Sequence, residues 1–229
     1  KSLLNRLGFN NNGVESLVEN LKERTSTIPI GVSIGKNFDT PNEKAYQDYL
    51  FCMEKVYEYC NYIAINISSP NTKELRNLSN KEFFKDLLLK IKEKQDLLSK
   101  SLKYVPIFIK ISPDENQKTI EEICKCIIEY EIDGIITSNT TIDHNDKNGY
   151  GGLSGLPLKD KATKKLSLIK KIVGNKVPII ESSGVMSGSD YQEKIDAGAD
   201  IVQIYKGFIS EGPKRIQDNI KREPEKRST

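Results

Sequence analysis

Six short runs of apolar, mostly β-branched residues recur along the chain: IPIGVSIG (29–36), YIAINIS (62–68), VPIFIKIS (105–112), GIITSNT (134–140), VPIIESSG (177–184) and IVQIYKG (201–207). Most are continuous rather than alternating, which predicts strands buried on both faces, as in a parallel sheet. Between them, residues 42–60, 81–98, 119–130, 163–173 and 189–198 carry apolar positions at helical spacing. The last of these ends in Gly198, a C′ glycine. Each interval is long enough for a crossover helix. The β-α-β-α order therefore predicts an α/β fold with a parallel sheet.

Two architectures satisfy that order, an open doubly wound sheet and a (β/α)8 TIM barrel. Polar residues gather at the C-terminal end of nearly every run: Ser33 and Lys36; Asn66, Ser68 and Ser69; Lys110; Ser138, Asn139 and Thr140; Ser182, Ser183 and Gly184; Tyr205 and Lys206. A barrel brings all strand ends to one mouth, whereas a doubly wound sheet uses mainly its switch point. The barrel is the better match, with about six of its eight βα units present. The chain opens on KSLLNRLGFNNNG, without methionine and without a leading strand, so the first two units are expected to lie outside it. No linker or low-complexity stretch divides residues 1–229, which predicts a single barrel domain.

Composition narrows the function. The 229 residues are long enough for a sizeable core, and a net charge of +3, from 35 Lys+Arg against 32 Asp+Glu, argues against a nucleic-acid partner. No apolar run reaches the ~18–20 residues of a membrane span, and no signal peptide opens the chain. Cys52, Cys60, Cys124 and Cys126 read as reduced thiols rather than a disulfide framework. With His144 the only histidine, and lying in a polar loop, no metal site is predicted and His144 reads as solvated.

The chemistry is carried by the strand ends. YIAINISSPNT (62–72) ends a core strand with uncharged polar groups. Ser69 has no histidine partner and no Gly-x-Ser-x-Gly elbow, so a hydrolase triad is poorly supported. A serine can instead take a weakly acidic carbon proton if water or a hydroxyl relays it away. Asn66, Asn71 and Asn139 supply donors and acceptors suited to a planar ligand with alternating N–H and C=O groups. Lys110, inside an apolar run, is a fixed positive charge for an anionic ligand. The strand, Ser-Ser-Gly turn and helix start over 177–195 can hold a phosphate, with Ser187 and Asp190 as a capping-box variant. Residues 148–164, with four glycines, read as a mobile loop close to a ligand.

Taken together and in order, NRLGFNN, IGKN, INISSPNT, FIKISPD, SNTT, GGLSG and VQIYKGFI resemble dihydroorotate dehydrogenase of the class 2, membrane-associated type, from about residue 3 to about residue 222. The resemblance implies an FMN-binding barrel that oxidises dihydroorotate to orotate in pyrimidine biosynthesis and passes electrons to a quinone. It implies a peripheral location on the cytoplasmic side of the cell membrane, through a part outside this chain. Ser69 matches the catalytic base, which is a cysteine in class 1 members. Asn5, Arg6, Leu7, Gly8, Phe9, Asn66, Asn71, Asn139 and Thr140 match substrate contacts. Ser33, Asn66, Lys110, Ser138, Gly155, Gly184, Tyr205 and Lys206 match FMN contacts. Three positions depart from the family pattern: Ser33 stands for an asparagine, Glu181–Ser183 for a glycine-richer turn, and Lys206 for a serine. Six strands alone are expected to leave the barrel unclosed and FMN weakly held. The competing readings are an FMN barrel acting on another pyrimidine or with a soluble acceptor, a non-catalytic remnant, and a phosphosugar-binding barrel. The last leaves NISSPNT unexplained.

Overall fold

The computed structural model describes residues 1–72, 74–145 and 149–213. Asn148 of the glycine-rich loop, and the stretch of the family resemblance beyond residue 213, lie outside them.

All six apolar runs form strands: β2 (Gly31–Ile34), β3 (Tyr62–Asn66), β4 (Ile107–Lys110), β5 (Gly134–Thr137), β7 (Ile179–Glu181) and β8 (Ile201–Val202). They make one parallel sheet in the order β2-β3-β4-β5-β7-β8. That order never reverses. A doubly wound sheet requires a reversal at its switch point, so the single direction of winding selects the barrel type and excludes the alternative. The helices α1 (Val14–Lys22), α2 (Ala45–Val56), α3 (Lys81–Ser99), α4 (Gln117–Glu129), α5 (Lys159–Val173) and α6 (Gly188–Asp196) follow, each against the next. The short helix α7 (Lys206–Glu211) follows β8. The result is half of a barrel.

The core lies between helices and sheet. Ile63 and Ile65 of β3, Ile107 and Ile109 of β4, Ile135 of β5 and Ile179 of β7 all turn toward the helices. Each fully buried side chain of this kind stabilises the fold by about 1.5–3 kcal/mol, as an upper estimate. Strand residues alternate in direction, so the intervening positions face the other way. There Ala64, Ile136 and Ile180 pack with Tyr62 and Phe108 as an apolar floor. Two residues further along each strand the same face carries Asn66, Lys110, Ser138 and Ser182. Continuous apolar runs that turn polar at their ends are thus a floor and a rim seen in sequence.

Two expectations are corrected. A leading strand does exist: β1 (Ser2–Asn5) pairs antiparallel with β6 (Gly152–Gly155), in a register from Ser2 opposite Gly155 to Asn5 opposite Gly152. The same pairing places a buried strand inside the segment read as a mobile loop. Each of these strands is four residues long and its partner lies about 150 residues away. Local pattern cannot report a ladder of that kind. Helix α1 was also not anticipated, although its apolar face packs on the core through Val14, Leu17, Val18 and Leu21.

Candidate active site

The rim residues meet in register. Asn66 ends β3 directly beside Lys110, which ends β4. Ser138 and Asn139 follow β5, and Ser182–Gly184 follow β7. Above this rim, β1 and β6 bring Asn5 and Gly155 across the strand ends. Two adjoining cavities result, sharing Asn5, Leu7, Asn139 and Thr140. One is lined by Lys110, Ser138, Gly155, Gly184, Tyr205 and Lys206, all matched to FMN contacts. The other is lined by Asn66, Ser69, Asn71, Gly8 and Phe9, the residues matched to the base and to substrate contacts. Three assigned residues sit differently. Ser33 pairs with Ala64 in the apolar layer below Asn66 and lines neither cavity. Asn66 lines the substrate cavity alone. The Arg6 guanidinium, matched to substrate, donates to the Tyr150 carbonyl and lines neither cavity.

The asparagines form two hydrogen-bonded pairs. Asn139 Nδ2 donates to Asn66 Oδ1 at 3.2 Å and to Ser68 Oγ at 3.1 Å. Asn66 Oδ1 also accepts from the Ser68 N–H at 3.1 Å. Asn71 Nδ2 donates to Asn5 Oδ1 at 2.9 Å, while Asn71 Oδ1 is buried without a partner among the described residues. An orphan acceptor of this kind is costly unless a ligand N–H completes it. Ser69 is buried, and its Oγ accepts from the Asn71 N–H at 3.3 Å. Beneath the set, the buried Tyr49 phenol donates to the Asn66 carbonyl at 2.9 Å. Tyr49→Phe removes this buried bond and is expected to cost about 1–3 kcal/mol, read as a lower urea midpoint at unchanged slope.

Lys110 carries the site's electrostatics. Among the described residues its ammonium has no carboxylate or carbonyl partner, and burial alone pulls its pKa below the ordinary lysine value. An unpaired cation at a cavity wall is a site prepared for an anion or a developing negative charge.

The Ser-Ser-Gly turn is held from two sides. Ser182 Oγ and Ser183 Oγ both donate to the Ser138 carbonyl, at 3.0 and 2.9 Å. The Ser183 N–H donates to Glu181 Oε1 at 3.0 Å. Glu181 is buried 3.5 Å from the buried Lys194, which donates to the Lys159 carbonyl at 3.1 Å. Burial pushes Glu181 up and Lys194 down. Gly184 has φ +76°, and a Cβ there would lie 2.5 Å from Lys159 Cα. Gly184→Ala is therefore expected to add about 1–2 kcal/mol of backbone strain and to push α5 off the turn. Melting temperature and retained flavin should fall together. The helix that follows is capped as expected by Ser187 Oγ, which accepts the Asp190 N–H at 3.1 Å. Asp190 departs from the box: its carboxylate accepts from the Met186 N–H at 3.0 Å and pairs with Lys159 at 2.7 Å.

His144 is half-buried, its Nε2 3.0 Å from the Gly151 carbonyl, so it is not simply solvated. All four cysteines are free, and among the described residues no cluster of acidic, His or Cys side chains is suited to a metal ion. Sequence reasoning missed Tyr49, Arg76 and Asp114. Each acts on a backbone atom far along the chain, for which sequence carries no local signal.

Comparison with known proteins gives one result. The family model for dihydroorotate dehydrogenase matches residues 1–227. Dihydroorotate dehydrogenase (quinone) of Aliivibrio salmonicida is 48% identical over 227 residues, covering 96% of this chain and 68% of the relative. That of Vibrio vulnificus is 47% identical over 228 residues, covering 96% and 68%. The crystal structure of Eimeria tenella DHODH in complex with ferulenol superposes with a TM-score of 0.88 at 31% identity, over 96% of this chain and 66% of that one. The chain spans about two thirds of the length of these relatives.

Proposed function

The chain belongs to the dihydroorotate dehydrogenase family, and from that membership we propose that it works in pyrimidine biosynthesis by oxidising dihydroorotate to orotate, with FMN as bound hydride acceptor and a quinone as final electron acceptor. The observation that carries this reading is a pair of adjoining cavities, one with a buried serine hydroxyl and an amide oxygen, the other with an ammonium, the last two without a partner among the described residues.

The residues present fit a flavin nucleotide. Lys110 would face the ring's electron-rich edge, and Ser138 and Gly155 would border it. Gly184, Tyr205 and Lys206 would meet the phosphate, where close backbone approach and a spare cation both suit an anion. When bound, the flavin supplies the acceptor for the hydride leaving C6 of the substrate and hands the electrons on to the quinone.

The rest is the work of the chain's own groups. Asn66, Asn71, Asn139 and Asn5 hold the planar ring through its amide edges, and Asn71 Oδ1 is free to accept a ring N–H. Ser69 Oγ takes the proton from C5 as the C5=C6 double bond forms. Because a neutral serine is a weak base, its own proton must pass on to solvent in the same step. Lys110 stabilises the negative charge that accumulates on the acceptor. Access to a quinone implies peripheral association with a membrane on its cytoplasmic side. Among the described residues no helix is long and apolar enough to cross one.

Anaerobic mixing of the FMN-loaded full-length protein with dihydroorotate tests the reading. Bleaching of the yellow flavin, then reoxidation by a quinone, is the expected result. Absence of bleaching refutes it, and bleaching that only a soluble acceptor reverses overturns the choice of acceptor.

A further inference from the structure

We propose that Arg76 is a positioning residue: its guanidinium clamps the loop carrying the base Ser69 to the loop carrying the substrate amides Asn139 and Thr140. The proposal rests on the reading of Ser69 and Asn139 above.

Arg76 sits in a short 3-10 turn, Leu75–Ser79, and lines neither of the two adjoining cavities but a third one on the far side of Ser69 and Pro70. Its donors are divided among three loops. Nε donates to the Ser68 carbonyl at 3.1 Å, one peptide before Ser69. One terminal nitrogen donates to the Thr140 carbonyl at 2.8 Å, one residue past Asn139. The other meets Asp114 Oδ2 at 2.8 Å. These loops follow β3, β5 and β4, so a single planar group spans three adjacent strand ends.

Asp114 completes the clamp. Its carboxylate accepts from the Ile142 N–H at 2.9 Å, from Thr141 Oγ1 and from Lys161 Nζ, all on the side of the β5 loop and α5. Burial disfavours its charge, yet the bonds from Lys161, Thr141, Ile142 and Arg76 prevail and hold its pKa at about 2. The clamp therefore keeps one charge state across any working pH. Ser69 needs such support, because among the described residues the one hydrogen bond at its own hydroxyl is the 3.3 Å contact from the Asn71 N–H. Guanidinium is also the only side chain able to satisfy two carbonyls and a carboxylate from one plane, so lysine cannot replace it.

The test uses Arg76→Lys and Asp114→Asn in the FMN-loaded full-length protein. Arg76→Lys is expected to lower the rate of flavin reduction at saturating dihydroorotate about 10–100-fold, the scale of a sub-ångström to 1 Å misplacement. KM should rise less than kcat falls. Asp114→Asn, which leaves the guanidinium but loosens its anchor, should give a smaller version of the same split. In parallel, amide hydrogen exchange should quicken at residues 67–72 and 139–142 and stay unchanged in β3 and β4. A purely structural role would lower melting temperature and flavin content while leaving kcat of the loaded protein intact, and that result overturns the clamp. Should wild-type protein reduce no flavin, the functional reading fails separately. Exchange then decides the clamp alone, and unchanged protection in both loops overturns it.

Discussion

Ser69→Ala is expected to slow reduction of the bound flavin by dihydroorotate about 10²–10⁴-fold, the span a positioned general base contributes. Orotate binding should change little, because the amide side chains of Asn71 and Asn139 keep their bonds to Asn5 and Asn66, and the serine hydroxyl contributes only the 3.3 Å contact to the Asn71 N–H. Rapid anaerobic mixing measures the first quantity and flavin absorbance titrated with orotate the second. Ser69→Cys should recover part of the rate and move the pH limb toward a thiol's ordinary value of about 8.5. A wild-type rate in the alanine variant would remove Ser69 from the chemistry, whatever the state of the rest of the site.

Lys110→Met is expected to separate function from stability. Removing the cation assigned to the flavin ring should lower the rate of flavin reduction about 10²–10³-fold, as loss of a preorganised donor does elsewhere. The flavin's reduction potential should fall as well, since less charge stabilisation reaches its reduced form. The flavin-free protein should melt no lower than wild type, because the lost ammonium is unpaired among the described residues and burial already disfavours it. Parallel loss of folding and activity would instead make Lys110 a structural residue.

These two residues were legible because each violates its local context. A lysine inside IFIKIS and a double serine after YIAINI are polar interruptions of apolar runs, and the fold places the lysine at the end of β4 and the serines in the loop just after β3. Gly184 was legible for a similar reason, as the small residue of a strand-to-helix turn. Ser33 was assigned to FMN through the family resemblance, and register places it beside Ala64, one layer below Asn66. Arg6 was assigned by its place in NRLGFNN, and its guanidinium donates to the Tyr150 carbonyl, a contact that the motif does not foretell. Register and side-chain direction are set by partners in other strands, so a single run does not contain them.

What the sequence by itself determined is the α/β class, the six parallel strands and the polar strand ends. All three follow from hydrophobic periodicity, which acts over a few residues. Only the tertiary structure decided which polar groups meet. Pairing β1 with β6 brings Asn5 and Gly155 to the cavity wall, and Arg76 with Asp114 ties three loops into one frame. Those contacts join atoms separated by up to about 150 residues along the chain. Their energy comes from satisfying buried carbonyls and charges, and no short stretch of sequence specifies which donors will reach them.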